Sequence, residues 1–83
     1  MQPNISIILP AKNEAENLRS LLPKLRSDFP DEEIIVVNDG SDDDTEIVCN
    51  ENGVKVVRHP IAMGNGASIK SGSRAAKGKI FVF

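Results

Sequence analysis

The chain of 83 residues has no Trp and no Tyr, and it has only three Phe, one Cys and one His. Without large aromatic rings, its core must be built from Ile, Val, Leu and Ala. The single cysteine, Cys49, excludes an internal disulfide bond and fits a reducing compartment. No basic segment precedes the apolar residues 5–9, and no apolar run approaches the roughly 20 residues that span a bilayer. We therefore expect a cytoplasmic protein.

A large excess of charge is also absent, because the formal net charge is −2. A balance of this size predicts no nucleic-acid partner. Ten of the twelve acidic residues lie between Asp28 and Glu51, and the segment after Glu51 is basic. Two interpretations of that segment stay open: solvated ends of helices and strands, or contact with phosphate, an anionic membrane or an acidic partner. Its basic residues are Lys55, Arg58, Lys70, Arg74, Lys77 and Lys79.

Four short apolar runs recur along the chain, at residues 5–9, 33–37, 54–58 and 79–83. Continuous β-branched runs of this length are typical of strands that are buried on both faces. The segments between them carry helical signals, and strands joined by helices pair in parallel with right-handed crossovers. The sequence therefore predicts an α/β fold, a three-layer Rossmann-like sandwich whose parallel four-stranded sheet has the order 3-2-1-4.

The three connecting segments each have a helical pattern of their own. In the first, leucines within residues 18–25 form one apolar face, Asn13 is the predicted N-cap, and Pro23 should kink or restart the helix. The second should begin with residues 42–44 and close at Gly53. The third contains small residues that allow it to lie close to the sheet. These are Ala67, Ser71, Gly72, Ala75 and Ala76.

Polar residues and glycines concentrate directly after the predicted strands. The segments there are PAKNE after the first strand, NDGS after the second and HPIAMGNG after the third. Open parallel sheets bind ligands beyond the carboxyl ends of their strands. We therefore expect these segments to form one ligand-binding crevice.

Four aspartates surround the turn at Gly40. Asp42, Asp43 and Asp44 fall in the first turn of the second helix, where carboxylates accept hydrogen bonds from free backbone N–H groups. We expect at least two of them to cap that helix and none to bind a metal. Asp39 instead follows the second strand directly. Its carboxylate can accept from a nucleobase imide N–H or a ribose hydroxyl, or it can form a simple turn.

Several other ligand classes lack their motifs. The segment GNGASI is close to the dinucleotide fingerprint, but Ile69 replaces the third glycine and the segment follows the third strand, so NAD binding is not expected. No register supplies a P-loop, and no spacing of His and Cys supplies a zinc site. His59, which precedes Pro60, is predicted to be a turn residue, and Cys49 a core residue.

Three segments together resemble a known family. IILPAKNEAENL, IIVVNDGSDDDT and GNGASIKSGSRAAKGKIFVF are similar to successive N-terminal segments of family 2 glycosyltransferases with a GT-A fold, especially the dolichyl-phosphate-mannose synthase-like subgroup. The resemblance implies that residues 1–83 are the N-terminal nucleotide-sugar-binding part of a truncated GT-A domain. By matching positions, Asp39 takes the family's base-contacting role, and Lys12 stands where many members carry an aromatic residue. The implied nucleotide-binding residues are Pro10, Ala11, Lys12, Glu14, Asp39 and Gly40.

The resemblance also implies an activity for the parent protein. It would be an inverting enzyme, associated in some members with the cytoplasmic face of a membrane, that transfers a sugar from a UDP- or GDP-sugar to a lipid-phosphate or glycan acceptor. In the family a D-x-D motif after the fourth strand holds Mg²⁺ or Mn²⁺ on the sugar diphosphate. We expect that motif and the catalytic base after Phe83. The 83 residues alone should contain no catalytic residue and should be inactive or bind nucleotide weakly.

A different class of function stays open. The apolar strand at 79–83 would lie unpaired at an edge of the sheet, which invites dimerisation by strand addition in a non-catalytic binding module. A nucleotidyltransferase with a related sheet is less well supported, because it would carry a glycine- and arginine-rich loop where this chain has PAKNEAENL.

Overall fold

The computed structural model describes residues 3–83, in which strands and helices alternate. All four strands are parallel, and their order in the sheet is β3-β2-β1-β4. The predicted α/β class and strand order are therefore confirmed. The elements are β1 (Ile5–Ala11), α1 (Ala15–Asp28), β2 (Glu33–Asp39), α2 (Thr45–Glu51), β3 (Lys55–His59), α3 (Asn65–Ala75) and β4 (Lys79–Val82).

The sheet is the middle of three layers, because successive residues of its central strands face opposite sides. On one side, Ile7 and Val36 join the cluster that α1 and α2 cover. On the other side, Ile8, Ile35 and Val37 form a smaller cluster under α3. This arrangement explains why the central strands are apolar at nearly every position.

Gly72 sets the distance between α3 and the sheet. A Cβ atom on residue 72 would lie 2.6 Å from Cγ2 of Ile8 and 3.1 Å from Cγ2 of Val37. Any larger side chain at this position would push the helix away from both strands. The predicted close approach of a small-residue helix is confirmed at this position.

Helix α1 continues through Pro23 as one helix from Ala15 to Asp28, so the predicted restart is wrong. Pro23 lacks one backbone donor, but the buried leucines Leu18, Leu22 and Leu25 lie on both sides of it and pack in the same core cluster. Packing of that apolar face supplies most of the stability of such a helix and offsets one missing hydrogen bond. In residues 3–83 no helix combines the length and the apolar character needed to cross a membrane.

Strands β1, β2 and β3 extend beyond the carboxyl ends of their apolar runs. Strands β1 and β2 each continue two residues beyond the predicted end, because their pairing stays in register through Ala11 and Asn38. Asp39 is consequently the last residue of β2, and His59 is the last residue of β3 and pairs with it. The prediction of His59 as a turn residue is therefore wrong.

At the amino ends of the strands, polar contacts hold the start of β4. The Ser6 hydroxyl donates to Glu33 over 2.6 Å and accepts from the Gly78 backbone N–H over 2.8 Å. The Lys77 N–H also donates to the Glu33 carboxylate, and Lys55 lies 3.6 Å from its second oxygen. Burial raises the pKa of Glu33, but these hydrogen bonds and the Lys55 charge outweigh it and leave the pKa below its usual value.

Candidate functional site

The carboxyl ends of β1 and β2 bring most of the predicted site residues together. Pro10 pairs with Val37 and Ala11 with Asn38, so the end of β1 lies beside Asp39. Lys12 and Gly40 continue the chain from these two ends, and Lys12 is exposed.

Glu14 stands at the beginning of α1, on the same edge of the sheet. It is half-buried and occupies the N-cap position, and its backbone N–H donates to the Thr45 hydroxyl over 3.2 Å. Its carboxylate accepts from the Asn17 side-chain amide over 2.6 Å. The backbone of Glu14 is thus tied to α2, while its carboxylate contacts Asn17 in the first turn of α1.

The Asp39 carboxylate is buried and accepts three hydrogen bonds from the protein. Its Oδ1 lies 2.8 Å from His59 Nδ1 and accepts from the Met63 N–H over 2.8 Å, and its Oδ2 accepts from the Gly64 N–H over 3.0 Å. The bond from His59, followed by the two backbone donors, lowers the pKa of Asp39 despite its burial. The group is therefore a fixed negative charge at the end of the central strands.

Gly40 lets the β3–α3 loop cross directly over the end of β2. Its φ is +70°, and a Cβ on it would lie 2.5 Å from the Ala62 backbone nitrogen. Glycine meets both demands because it has no Cβ and tolerates positive φ. The same loop supplies the two N–H groups that Asp39 binds, so Gly40 and Asp39 together fix its position.

The loops after β1 and β2 are also fastened to each other. The Asn13 N–H donates to the Ser41 hydroxyl over 2.9 Å, and the Asn13 side-chain oxygen accepts from the Asp42 N–H over 2.8 Å. The prediction that Asn13 caps α1 is wrong, because its φ of +54° and its side-chain bond direct it to the neighbouring loop instead. Asparagine tolerates this left-handed conformation better than most residues.

Asp43 bridges the starts of two helices. Its Oδ2 accepts from the Ala15 N–H of α1 over 3.1 Å, and its Oδ1 accepts from the Thr45 N–H of α2 over 3.0 Å. The Thr45 hydroxyl also donates to Oδ1, and this side-chain hydrogen bond is the main reason why the pKa of Asp43 is lowered. The expectation that at least two of the three helix-start aspartates cap α2 is wrong: among the described residues only the Asp43 carboxylate accepts from α2, Asp42 bonds to Asn13 through its backbone N–H, and Asp44 stands at the N-cap without a side-chain cap bond. Asp44 instead lies 3.8 Å from Arg19.

A metal site does not form within the described part of the chain. Among residues 3–83, no three side chains of His, Cys, Asp or Glu come together in a group that could hold a metal ion. The clustered aspartates of the sequence separate in space: Asp39 faces the β3–α3 loop, and Asp43 faces α1 and α2. These residues do not fit a sugar-diphosphate metal by themselves.

Sequence reasoning missed two residues at this site, His59 and Ser71. Nε2 of His59 lies 2.8 Å from the Ser71 hydroxyl oxygen of α3, and Nδ1 contacts Asp39. The available signal was the strand register, because His59 and Asp39 both stand where a polar residue ends an apolar strand. Cys49 is a core residue, as predicted, and burial, helped by the Glu46 charge, raises the pKa of its thiol to about 11.

Two residues of the basic last third form ion pairs. Arg58 contacts the two carboxylate oxygens of Glu46 through Nε and Nη2 of its guanidinium group, and Lys55 pairs with Glu33. For Lys55 and Arg58, the structure therefore supports the first interpretation, the solvated ends of strands. Each of these two cations is paired with a carboxylate.

Comparisons with known proteins agree with this geometry. The sequence model of the family described as "Glycosyl transferase family 2" matches residues 6–83. A dolichol-phosphate mannosyltransferase of Pyrococcus furiosus is 32% identical over 94% of this chain, which spans 24% of that enzyme.

Two solved structures are similar in fold. One is glucosyl-3-phosphoglycerate synthase from Mycobacterium tuberculosis in complex with Mn²⁺, UDP and glucosyl-3-phosphoglycerate, with a TM-score of 0.76 and 29% identity; the match covers 96% of this chain and 33% of that one. The other is a mannosyltransferase from Pyrobaculum calidifontis in complex with GDP-Man and Mn²⁺, with a TM-score of 0.80 over 92% of this chain and 25% of that one. Its identity of 21% supports the shared fold alone.

The chain therefore spans a third or less of the length of these relatives. Its strand order is that of GT-A glycosyltransferases, which confirms the resemblance found in the three sequence segments. Since the family model covers nearly every residue, the chain belongs to glycosyl transferase family 2.

Proposed function

We propose that this chain is the nucleotide-sugar-binding part of an inverting family 2 glycosyltransferase. The parent protein transfers a sugar from a UDP- or GDP-sugar to a lipid-phosphate or glycan acceptor. The 83 residues alone bind the nucleotide weakly and do not transfer the sugar, and the nucleotide-binding residues are those at the carboxyl ends of β1 and β2. The protein works on the cytoplasmic side, with the parent associated with the membrane when its acceptor is a lipid.

One observation carries the proposal: a buried, ionised Asp39 stands beside Pro10 and Ala11 at the edge where parallel sheets bind ligands. A carboxylate accepts up to about four hydrogen bonds, and the protein supplies three to Asp39. A nucleobase imide N–H or a ribose hydroxyl can supply the fourth. Lys12 directly follows the end of β1, and Glu14 directly precedes α1.

A divalent cation belongs to the proposal for the parent enzyme. A similar structure contains Mn²⁺ together with UDP, and either Mn²⁺ or Mg²⁺ neutralises a leaving diphosphate. We propose that ligands from the rest of the parent chain hold this cation, as this chain covers 33% of the similar structure that contains Mn²⁺.

Titration calorimetry with UDP and with GDP tests nucleotide binding. We expect at least one of the two to bind with a dissociation constant on the order of 1 mM, about −4 kcal/mol, because a single small crevice makes the contacts. Asp39→Ala should abolish the heat, whereas Asp42→Ala, the matched removal of an exposed carboxylate, should leave it unchanged. Circular dichroism verifies that both variants fold. Equal heats from the wild type and Asp39→Ala would contradict the role of Asp39.

A second experiment changes the ligand and leaves the protein unchanged. UDP methylated on the imide nitrogen cannot donate to a carboxylate, and 2′-deoxy-UDP lacks one ribose donor. Weaker binding of the first analogue assigns Asp39 to the base, and weaker binding of the second assigns it to the ribose. Full retention of affinity by both analogues would contradict recognition of the base imide or of the 2′-hydroxyl.

A second candidate function is self-association through β4. All four residues of β4 are exposed, and Phe81 is 61% exposed. An apolar groove of about 130 Å³ beside this strand is lined by Ile5, Ile7, Phe29, Phe81 and Phe83. Unpaired edge strands with apolar side chains accept another strand, and a second copy of this chain offers an identical one.

Light scattering over a concentration series tests this candidate. Dimerisation should weaken in Phe81→Lys, because a charge on the edge opposes strand addition. Ile61→Lys is the matched control, since Ile61 is 73% exposed but lies outside β4. A monomer at every concentration would contradict the candidate.

A further inference from the structure

A continuous hydrogen-bonded row of side chains crosses from the sheet to α3. Asp39 Oδ1 lies 2.8 Å from His59 Nδ1, and His59 Nε2 lies 2.8 Å from Ser71 Oγ. The side chains of His59 and Asp39 are only 8% and 9% exposed. The three residues come from β2, β3 and the middle of α3, so the row joins three separate elements.

The two oxygens of the Asp39 carboxylate have different hydrogen-bond partners. Oδ1 accepts from His59 and from the Met63 N–H, which fills its two acceptor positions. Among the residues that the structure describes, Oδ2 accepts from the Gly64 N–H alone and keeps one acceptor position. Any donor on a bound ligand must therefore meet Oδ2.

The chemistry of the row also fixes the tautomer of the histidine. An ionised carboxylate only accepts hydrogen bonds, so Nδ1 of His59 must carry a hydrogen to bond with Asp39. In the neutral imidazole, Nε2 is then an acceptor, and the Ser71 hydroxyl must donate to it. While the imidazole is neutral, each bond in the row thus has one direction only.

We propose that His59 and Ser71 are positioning residues that hold Oδ1 of Asp39 on the protein side and present Oδ2 to the nucleotide. This proposal rests on the proposed function, because it concerns the orientation of the same carboxylate. The mechanism is preorganisation: the carboxylate has its binding orientation before the ligand arrives, and binding does not have to immobilise it.

The order Asp–His–Ser also occurs in nucleophilic triads, in which histidine removes the serine proton. Ser71 is less suited to attack a substrate, because it lies half-buried beside Gly72, on the part of α3 that packs against the sheet. The geometry therefore favours orientation of Asp39 over activation of Ser71.

Nitrogen NMR of the imidazole ring tests the first half of the proposal. His59 is the single histidine of the chain, so its two ring nitrogens can be assigned without ambiguity. For the neutral ring we expect the Nδ1–H tautomer, because Nδ1 must donate to Asp39. The Nε2–H tautomer would overturn the proposal, because that ring cannot donate to Asp39.

Affinity for UDP and GDP tests the second half. His59→Ala should weaken binding about tenfold, the effect of losing one hydrogen bond to a charged group. His59→Asn restores a side-chain N–H beside Asp39 and should recover affinity to within about threefold of the wild type. A purely structural role predicts no such rescue, and thermal melting of both variants measures that contribution separately.

The outcomes separate the two proposals. If the wild type binds nucleotide and both His59 variants bind it as tightly as the wild type does, the positioning role is wrong and the nucleotide site stands. If the wild type binds neither UDP nor GDP, the proposed function is wrong. The positioning role of His59 and Ser71 is then wrong as well, because it requires a bound nucleotide.

Discussion

Gly40 and Ala62 are in such close contact that a Cβ atom on residue 40 would stand 2.5 Å from the Ala62 backbone nitrogen. Gly40→Ala should therefore destabilise the protein by about 2–5 kcal/mol, the sum of the positive-φ cost and the displacement of the β3–α3 loop. Urea denaturation measures this change in the free energy of unfolding.

Gly53→Ala is the matched control for that substitution. Gly53 has a φ of +62°, similar to that of Gly40, but no atom lies within 4 Å of the position of its Cβ. We expect it to cost only the conformational part, about 1 kcal/mol. Equal losses in the two variants would show that the loop does not press on Gly40.

Removal of the Asp43 carboxylate should loosen both helix starts at once. We expect Asp43→Ala to lower the free energy of unfolding, because the N–H groups at the starts of both helices lose the carboxylate that accepts from them. Asp42→Ala should change it by less than about 0.5 kcal/mol, because Asp42 uses its backbone N–H for its bond to Asn13. Thermal or urea unfolding compares the two, and a larger effect at Asp42 would contradict the bridging role.

Glu33 should make the protein less stable in acid. Its pKa is lowered in the folded state, so its stabilising contribution is present above the unfolded pKa and is lost as the pH falls through the folded one. The loss should develop as the pH falls below the ordinary value of 4.5. Asp39 and Asp43 act in the same direction, since their pKa values are also lowered.

The variant Glu33→Gln isolates this share of the pH dependence. It should be less stable than the wild type at pH 7, by about 1 kcal/mol for a lost hydrogen bond or ion pair, and the difference should shrink in acid. Urea unfolding at a series of pH values gives the two curves. Parallel curves over the whole range would contradict a lowered pKa for Glu33.

The Cys49 thiol should react slowly with alkylating reagents while the protein is folded. It is fully buried, and its pKa is raised to about 11, so both access and thiolate formation are suppressed. We expect alkylation at pH 8 to be slower than in urea by about a thousandfold or more, if it proceeds through unfolding. Similar rates in both solutions would show that α2 opens locally.

The fold could be predicted from the sequence because its signals are local and repeated. Runs such as residues 33–37 specify a doubly buried strand, and the small residues around Gly72 specify a helix close to the sheet. Pro23 led to a wrong prediction, because the hydrogen bond that proline removes from a helix can be read from the sequence. The packing of the flanking leucines, which offsets that loss, depends on tertiary structure.

The sequence predicted where the site lies, at the carboxyl ends of the strands, but it did not predict the contacts between its residues. Asp39 stood out because it ends an apolar strand. Its partners depend on tertiary structure, since His59 reaches it through the pairing of β2 with β3 and the Met63 N–H reaches it through the β3–α3 loop. Asp43 illustrates the same limit: its sequence position indicates a cap for α2, and only the folded chain brings Ala15 of α1 to its other oxygen.

The central claim is that a nucleotide binds at the carboxyl ends of β1 and β2, and an NMR titration of backbone amides locates that binding directly. With UDP or GDP, we expect the largest shifts at residues 11–14 and 39–41, and none at Glu32 or Gly78 at the opposite edge of the sheet. Shifts concentrated at the opposite edge, or none at ligand concentrations of about 10 mM, ten times the dissociation constant that we expect, would contradict the account.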